Sequence, residues 1–414
     1  YYNKTKSIYI IEDSTEISGI LAGTFGGLYH YDFKKKKWNA INLPKQHQKI
    51  VKIIDYKDKI AVFSSSGAVL INPQTLNVLR DVKLNKIEKE TKLTLIEFFF
   101  QLHSGEIWGL PGKLLFDLGG LILIFLSISG LYVWLSPKTS KLKIKFKETT
   151  SKAKWSLYKF FYKYHLELGI YSSLILLIVG VTGFFMRPPA IAMIMDGEIS
   201  VSSIPFVKLE NPWHDRIRNA MFDKFSNKII IDAKDGFWIS DSGIDGKYTK
   251  HLPPVPIFAM GATVFEQDNN GNYLIGSFAG LFKVSHQDGT SIDAMTGEKP
   301  INISTVRPGS NLITSYFTTP IGEEFITTHF EGLLNVNSPF GINGRFEVSD
   351  GSLDDFSMSL WNYLFELHNG RIFEFLIGDY YILLIPLMSL IFVLSLLTGI
   401  FDWAYIKIKK IKHH

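Results

Sequence analysis

Three long apolar segments constrain this chain more than any other feature. They run over residues 112–135, 166–186 and 377–405. Each is long enough to cross a bilayer, which takes about 20 residues. Buried core helices are usually shorter and more amphipathic. The sequence therefore predicts a multi-pass membrane protein with an α-helical core of three spans.

The distribution of lysine orients these spans. Residues 136–163, between the first two spans, hold nine Lys and one Glu, and the tail after the third span adds four Lys, at positions 407, 409, 410 and 412. Short loops rich in Lys and Arg stay in the cytoplasm, so both flanks are predicted to be cytoplasmic. Membrane topology and anionic lipid explain this charge, and we expect no nucleic-acid partner. The long remaining regions then lie across the membrane. We take that side to be the periplasm and the membrane to be a bacterial inner membrane.

This topology predicts a further span. The first extracytoplasmic region needs a segment that delivers it, so we expect a fourth, N-terminal span before residue 1. The chain would then have two halves, each made of a span, a periplasmic insert and a span. The predicted regions are a periplasmic β insert (1–98), an interfacial helix and span (99–136), a basic cytoplasmic loop (137–163), a span (164–187), a periplasmic β insert (188–366), an interfacial segment and span (367–406) and a basic cytoplasmic tail (407–414).

An internal repeat supports the two halves. The segment FQLHSGEIW at residues 100–108 matches FELHNGRIF at residues 365–373, with His103 and His368 in register. Further along, ISGLYVW matches LTGIFDW, each ending in Trp. The two histidines therefore lie at equivalent positions before the first and third spans, on the periplasmic side.

The middle span begins with a third histidine. On an α-helix, His165 and Gly183 share one face because 18 residues make about five full turns. Gly169 lies about 40° from that line. Small residues also mark ordinary contacts between membrane helices, and a histidine near an interface can simply extend to the headgroups. Three histidines lie at span ends, and two of them belong to a repeated motif. This pattern nevertheless favours a functional role for the histidines over a purely structural one.

Facing histidines at span ends are typical of haem b. Two imidazoles on opposite sides of the iron give a centre suited to electron transfer, and glycine leaves room for a porphyrin edge. His103 and His368 are a natural pair for a periplasmic-side haem. His165, with Gly169 and Gly183 on its helix face, would hold a cytoplasmic-side haem whose other ligand is absent from this sequence. The chain contains no Cys, which excludes c-type haem attachment and thiolate ligands. We expect two haem b groups in the full-length protein and one complete ligand pair here.

These motifs resemble a known family. The run FFFQLHSGEIWGLPGKLLFDLGG, the basic loop and HLELGIYSSLILLIVGVTGFF are similar to the PepSY-associated transmembrane family, over about a third of the chain. The resemblance implies four spans in two halves, with His103, His165 and His368 as haem ligands. It also implies a likeness to di-haem b-type inner-membrane reductases of ferric siderophores. The sequence departs from the family in lacking the first span and in having inserts unlike PepSY domains.

The inserts carry a β repeat of their own. The segments GTFGGLYHYD at 23–32, GSFAGLFKVS at 276–285 and THFEGLLNVN at 328–337 share one pattern, with weaker copies near Gly67 and Gly236. Spacings of about 40–50 residues are typical of propeller blades. About two blades fall in the first insert and three or four in the second. The inserts therefore form either one propeller-like cap or two separate small β domains.

Other candidate residues are less specific. Trp213, His214 and Asp215 could bind a metal or chelate, although adjacent His and Asp more often share a surface hydrogen bond. Asp117 and Asp379 lie within or near spans, where acids serve proton chemistry or cap helices. No P-loop, GxSxG or HExxH motif is present, so the sequence favours neither a nucleotide-binding site nor a hydrolase.

The functional hypothesis is transmembrane electron transfer. A cytoplasmic donor or quinol would supply electrons, and a periplasmic ferric chelate, such as a ferric siderophore for iron uptake, would accept them. The catalytic residues of such a reductase are not identified by the sequence. The alternative is a non-enzymatic membrane sensor or scaffold whose β cap binds a ligand or partner.

Overall fold

The computed structural model describes two compact units. It covers residues 4–13, 16–87, 92–141, 152–195, 197–207, 211–257, 261–268, 270–300, 312–319, 321–328, 332–336 and 358–412. One unit, here the β unit, draws on residues 1–92 and 208–355, and the other, the helical unit, on residues 93–207 and 356–414. Each unit therefore combines two stretches of sequence. Residues 188–207 group with the helices, whereas the sequence places them in the second β insert.

The first β insert folds into two antiparallel meanders of four strands each, in which every strand pairs with the next along the chain. Apolar residues form much of these strands, and buried Leu21, Ile53 and Val62 face the core between them. Sheet 1 contains β1 (Thr5–Asp13), β2 (Glu16–Thr24), β3 (Gly27–Asp32) and β4 (Lys37–Ile41), and sheet 2 contains β5 (Ile50–Tyr56), β6 (Lys59–Ser64), β7 (Gly67–Ile71) and β8 (Val78–Val82).

The second β insert continues with three further meanders. Sheet 3 contains β12 (Ile217–Asp223), β13 (Lys228–Ala233), β14 (Gly236–Ser240) and β15 (Lys247–His251), and β9 (Asn85–Lys86) from the first insert adds a parallel fifth strand. Sheet 4 contains β16 (Val264–Gln267), β17 (Tyr273–Ser277), β18 (Gly280–Val284) and β19 (Ser291–Asp293). Sheet 5 contains β20 (Ile313–Thr318), β21 (Glu324–Thr328) and β22 (Gly332–Asn335).

The sequence repeat marks one hairpin in every sheet. Its glycine is the first residue of the third strand in all five sheets, at positions 27, 67, 236, 280 and 332. Four of the five have a positive φ, for example +139° at Gly280. Glycine adopts this region at little steric cost, so it suits the tight turn before the strand. The repeat therefore predicts the blade-like meanders and their order.

The two inserts share one core. The largest buried cluster combines Ala61 and Phe63 of sheet 2 with Trp213, Ile231 and Trp238 from the second insert. Trp213 and Trp238 pack edge to face, with ring centres 5.8 Å apart. The inserts thus form a single unit rather than two separate β domains. Among the described strands, the five sheets do not close into a ring. The sheets resemble propeller blades, but they do not form the predicted propeller.

Within its described residues, the helical unit contains three helices long and apolar enough to cross a membrane. The first predicted span lies within its helix, whereas residues 185–186 of the second follow its helix and residues 377–380 of the third precede its helix. Short helices precede the first and third. The helices are α1 (Leu95–His103), α2 (Gly109–Lys141), α3 (Lys152–Phe184), α4 (Leu360–His368), α5 (Glu374–Ile377) and α6 (Tyr381–Lys412). A two-stranded sheet of β10 (Lys92–Thr94) and β11 (Glu198–Ser200) completes the unit.

α3 is the central helix of this unit, because it packs against both α2 and α6. Its 33 residues make a helix of about 50 Å, longer than the hydrocarbon core of about 30 Å. The excess lies at its lysine-rich start, so residues 152–163 of the predicted loop are helical. Large apolar side chains of α6, such as Leu387, Ile391 and Leu394, are exposed, as expected of surface that contacts lipid.

The repeated histidine motif folds in the same way twice. α1 and α4 each have nine residues, begin after a hydroxyl N-cap (Thr94 or Ser359) and end at a histidine. A left-handed glycine follows, with φ of +70° at Gly105 and +78° at Gly370, and a turn of 3₁₀ helix comes next. The N-cap oxygen satisfies a backbone N–H that the helix cannot, which fixes where each helix starts. Equivalent caps therefore place His103 and His368 at equivalent positions.

Candidate functional site

His103 and His368 lie next to each other at the ends of α1 and α4. Their ring centres are 6.3 Å apart, and the ring planes are inclined by 57°. His103 is half-buried, whereas His368 is exposed. Two residues separated by more than 260 positions in the sequence are thus brought together as the repeat predicts.

This separation fits one metal ion between the two rings. A metal bonded to an imidazole nitrogen lies about 2.0–2.1 Å from it. In a five-membered ring with bonds of about 1.33 Å, the nitrogen is roughly 1.1 Å from the ring centre. Imidazoles on opposite sides of one metal therefore have centres about 6.3 Å apart. The distance between the ring centres is therefore compatible with both imidazoles binding one metal.

A hydroxyl on the middle span holds His103. Nδ1 of His103 is 2.9 Å from Oγ1 of Thr182, a residue of α3 that is only 2% exposed. Burial, and then the adjacent His368, lower the pKa of His103 below its usual range. The neutral imidazole, which is the form that can coordinate a metal, is therefore favoured.

Gly183 lies against the same ring. A Cβ built on Gly183 would be 3.4 Å from Cε1 of His103 and 3.2 Å from Oγ of Ser389. The missing side chain thus lets α1 and α6 approach α3 closely at this level. The sequence pairs Gly183 with the histidine of its own helix, but the structure places it beside His103.

His165 forms a second site near the other end of α3. Its Nδ1 is 2.9 Å from Oγ of the fully buried Ser129 on α2. A Cβ on Gly130 would be 3.0 Å from Cε1 of His165, so the imidazole packs directly on the backbone of α2. Seventeen residues separate His165 from Thr182, or about 25 Å along the helix. The two sites therefore lie near opposite ends of the membrane-spanning segment.

A cavity opens beside His165. It has a volume of about 270 Å³ and lies between the three spans, with a mainly apolar lining. Gly169 of α3 and Gly399 of α6 line it together with Trp403, the tryptophan of the repeated motif. A Cβ on Gly399 would meet nothing within 4 Å. This glycine-lined space can take the edge of a flat, apolar group next to the imidazole.

The remaining candidates lie away from the three histidines or in the packing of the β unit. Trp213 is buried and donates its indole N–H to the carbonyl of Leu84 at 3.1 Å. Asp215 forms ion pairs with Lys49 (2.9 Å) and Lys234 (3.4 Å). Asp117 lies on an exposed face of α2. Within the described residues, no group of three or more His, Asp or Glu side chains could hold a bare metal ion.

A Ser–His–Asp arrangement in sheet 2 is structural. Nδ1 of His47 is 2.8 Å from Oγ of Ser64, and its Nε2 is 2.9 Å from Asp81. Ser64 is completely buried and donates its hydroxyl hydrogen to the carbonyl of Gly67. A buried hydroxyl that faces its own turn cannot reach a substrate, so these residues tie the strands of sheet 2 together.

The sequence interpretation missed Thr182 and Ser129. Both are hydroxyl residues in apolar spans, where a polar group needs an internal partner. This signal was visible, but other Ser and Thr residues of the spans share it. Which of them faces a histidine depends on the register between helices.

Comparisons with known proteins identify a family. A family model described as the PepSY-associated TM region matches residues 30–405. No curated protein matches the chain. Among solved structures, the extracellular domains of BT3049 and BT4673 from B. thetaiotaomicron are 11% and 10% identical, each with a TM-score of 0.35, covering 80% of this chain and 27% of theirs. PorZ, a surface component of the type-IX secretion system of Porphyromonas gingivalis, is 10% identical with a TM-score of 0.19, covering 80% of this chain and 40% of its own. The chain thus spans about a quarter of the length of the first two.

Proposed function

The chain belongs to the family of the PepSY-associated TM region, and on that premise we propose that it is a haem b protein that carries electrons across the bacterial inner membrane. The acceptor would be a periplasmic ferric chelate, such as a ferric siderophore, reduced for iron uptake. The observation that carries this proposal is the spacing of His103 and His368, whose ring centres are 6.3 Å apart. Haem b bound between two imidazoles supplies a one-electron couple.

Different residues would hold the two haem groups. His103 and His368 would hold the first, with Gly183 giving the close approach between helices. His165 would be one ligand of the second, beside the cavity lined by Gly169 and Gly399. The mainly apolar lining of the cavity beside His165 would limit the access of water to the second group and so tune its potential.

Charge and hydropathy support the orientation. The lysines at the start of α3 and at the end of α6 favour the cytoplasmic side for those ends. His103 and His368 then lie at the periplasmic end, and the β unit belongs to the periplasm. Electrons would enter from a cytoplasmic donor or from quinol, near His165. One quinol oxidised to quinone releases two electrons and two protons, which balances the reduction of two ferric ions to ferrous ions.

Visible spectroscopy tests this proposal. The full-length protein, purified from haem-supplied cells, would be compared as dithionite-reduced minus oxidised spectra with pyridine haemochrome quantification. We expect a sharp b-type α-band and about two haems per chain, falling by one in His103→Ala and in His368→Ala. His214→Ala, an exposed histidine of the β unit, is the matched control and should keep the wild-type content.

The opposite result would favour the alternative function. If well-folded wild-type protein contains no haem, the electron-transfer proposal fails. The β unit, with its cleft of about 530 Å³ lined by Lys52, Asp55 and Glu266, would then be the functional centre of a sensor or scaffold.

A further inference from the structure

Two buried hydroxyls hold the two half-buried histidines in the same way. Oγ1 of Thr182 is 2.9 Å from Nδ1 of His103, and Oγ of Ser129 is 2.9 Å from Nδ1 of His165. In each case the hydroxyl is on a neighbouring helix, not on the helix of the histidine. The arrangement is reciprocal, since α3 supplies the hydroxyl near one end and the histidine near the other.

Counting hydrogens assigns the direction of these bonds. A hydroxyl has one hydrogen to donate and two lone pairs to accept with. Oγ1 of Thr182 donates to the carbonyl of Ile178 at 2.7 Å, and Oγ of Ser129 donates to the carbonyl of Leu126 at 3.2 Å. Each oxygen then accepts from the imidazole. The backbone carbonyls of Val179 and Leu126, which also hydrogen-bond the rings of His103 and His165, can only accept, so we assign the hydrogen to Nδ1 in both histidines. Nε2 is left with the lone pair that binds a metal.

Burial makes this assignment firm. Thr182 is 2% exposed and Ser129 0% exposed, so water does not compete for either oxygen. An imidazole N–H with no acceptor in such a place would cost about 1–3 kcal/mol. Ring rotation and tautomer exchange are therefore both opposed by the loss of a buried hydrogen bond.

We propose that Thr182 and Ser129 are positioning residues that fix the tautomer and ring orientation of His103 and His165, and thereby the affinity and potential of the two haems. The inference rests on the proposed haem function. A hydrogen bond accepted from Nδ1–H makes the opposite nitrogen a more basic ligand, which stabilises the oxidised metal. Removal of the acceptor should therefore raise the midpoint potential of one haem and weaken its binding.

Two variants distinguish the loss of the hydroxyl acceptor from a change in side-chain shape. Thr182→Val keeps the shape but removes the acceptor, whereas Thr182→Ser keeps the acceptor. We expect Thr182→Val to bind the periplasmic-end haem about 10–100-fold more weakly and to raise its potential, with Thr182→Ser close to wild type. Ser129→Ala should change the other haem alone.

Ser172→Ala is the matched control. Ser172 is also buried in α3 and donates to the carbonyl four residues earlier, Leu168, at 2.6 Å. Its loss removes the same kind of bond within the helix and should leave both haems unchanged. A redox titration followed in the visible region, with haem content measured in parallel, resolves the two centres.

The haem-free protein gives an independent reading. In ¹⁵N-histidine NMR spectra, Nδ1 of His103 should be the protonated nitrogen in wild type and in Thr182→Ser. Wild-type potentials and haem content in Thr182→Val, or a hydrogen on Nε2 in the wild type, would overturn this inference and leave the haem proposal intact. Wild-type protein without haem but with the Nδ1–H tautomer would overturn the haem proposal and the role in potential, while the tautomer assignment stands.

Discussion

At the residue scale, glycines decide how closely the histidines meet their neighbours. A Cβ on Gly130 would be 3.0 Å from Cε1 of His165, whereas a Cβ on Gly120 of the same helix would meet nothing within 4 Å. Contacts of about 3.0 Å are tighter than close packing tolerates without movement, so one partner must move. Gly130 is therefore required for the close contact with His165, whereas Gly120 has no such contact.

Substitution of these two glycines gives a paired prediction. Gly130→Val should displace His165 and reduce the haem bound at the cytoplasmic end by at least half. Gly120→Ala should leave it unchanged. Haem per chain, measured by pyridine haemochrome, is the readout. Equal loss in both variants would mean that the effect comes from α2 as a whole and not from the His165 contact.

A buried acid in the β unit makes stability depend on pH. Asp232 is fully buried and accepts hydrogen bonds from Arg218 (3.2 Å) and from the N–H of Ala262 (2.9 Å). Burial raises its pKa to about 6, although Arg218 acts in the opposite direction. The unfolded carboxyl titrates near 3.9, so the folded state binds the extra proton between about pH 4 and pH 6. Stability from this group falls as pH rises through that window.

Asp232→Asn tests this sign. The variant should lose the part of the pH dependence that costs the wild type on the order of 2 kcal/mol between about pH 4 and pH 7. Urea unfolding of the detergent-solubilised chain, followed by tryptophan fluorescence at several pH values, measures it. Asp215→Asn is the control. Burial would raise the pKa of Asp215, but lysines and hydrogen bonds outweigh burial and lower it. Stability from Asp215 therefore rises with pH, and Asp215→Asn should change the pH dependence of stability in the opposite direction to Asp232→Asn. A variant as pH-dependent as the wild type would contradict the assignment.

At the scale of elements, the two copies of the histidine motif differ in how well their turn glycine would tolerate a side chain. Gly105 and Gly370 both have positive φ. A Cβ on Gly105 would be 2.5 Å from the backbone oxygen of Gly112, whereas on Gly370 it would be 3.3 Å from the side chain of Ile385. Backbone cannot move aside as a side chain can. The turn after α1 is therefore the more tightly specified of the two.

Alanine at these positions should show that difference. Gly105→Ala combines the backbone strain of about 1 kcal/mol with a steric clash and should lower both the thermal midpoint and the haem content of the His103 site. Gly370→Ala should lower them less. Thermal unfolding followed by the haem absorption band compares them directly, and a larger effect at Gly370 would contradict the packing.

The sequence was most informative about the positions of helices and strands. Hydropathy located the three spans, and the repeated glycine of the β hairpins located the meanders. Hydropathy missed the helix over residues 152–163, because lysine and tyrosine extend α3 beyond the part that lipid covers. The pairing of His103 with His368 followed from the repeat. Thr182 and Ser129 did not, because a single sequence does not fix the register between packed helices.

At the scale of the whole molecule, the proposal requires one orientation. The absence of native Cys makes single cysteines specific probes. In intact cells with a permeabilised outer membrane, an impermeant maleimide should label Ser242→Cys in the β unit but not Lys154→Cys at the start of α3. Both positions are exposed, so accessibility differs only by side of the membrane. Labelling of the Lys154 variant alone would reverse the topology.

The proposed electron path depends most on the binding of the same iron by His103 and His368. His103→Gly and His368→Gly, each with and without added imidazole, test it most directly by electron paramagnetic resonance. We predict that either variant loses the same low-spin signal together with its haem, and that added imidazole restores both the haem content and the low-spin signal. Loss of two different centres, or a low-spin spectrum unchanged in either variant, would contradict the shared site.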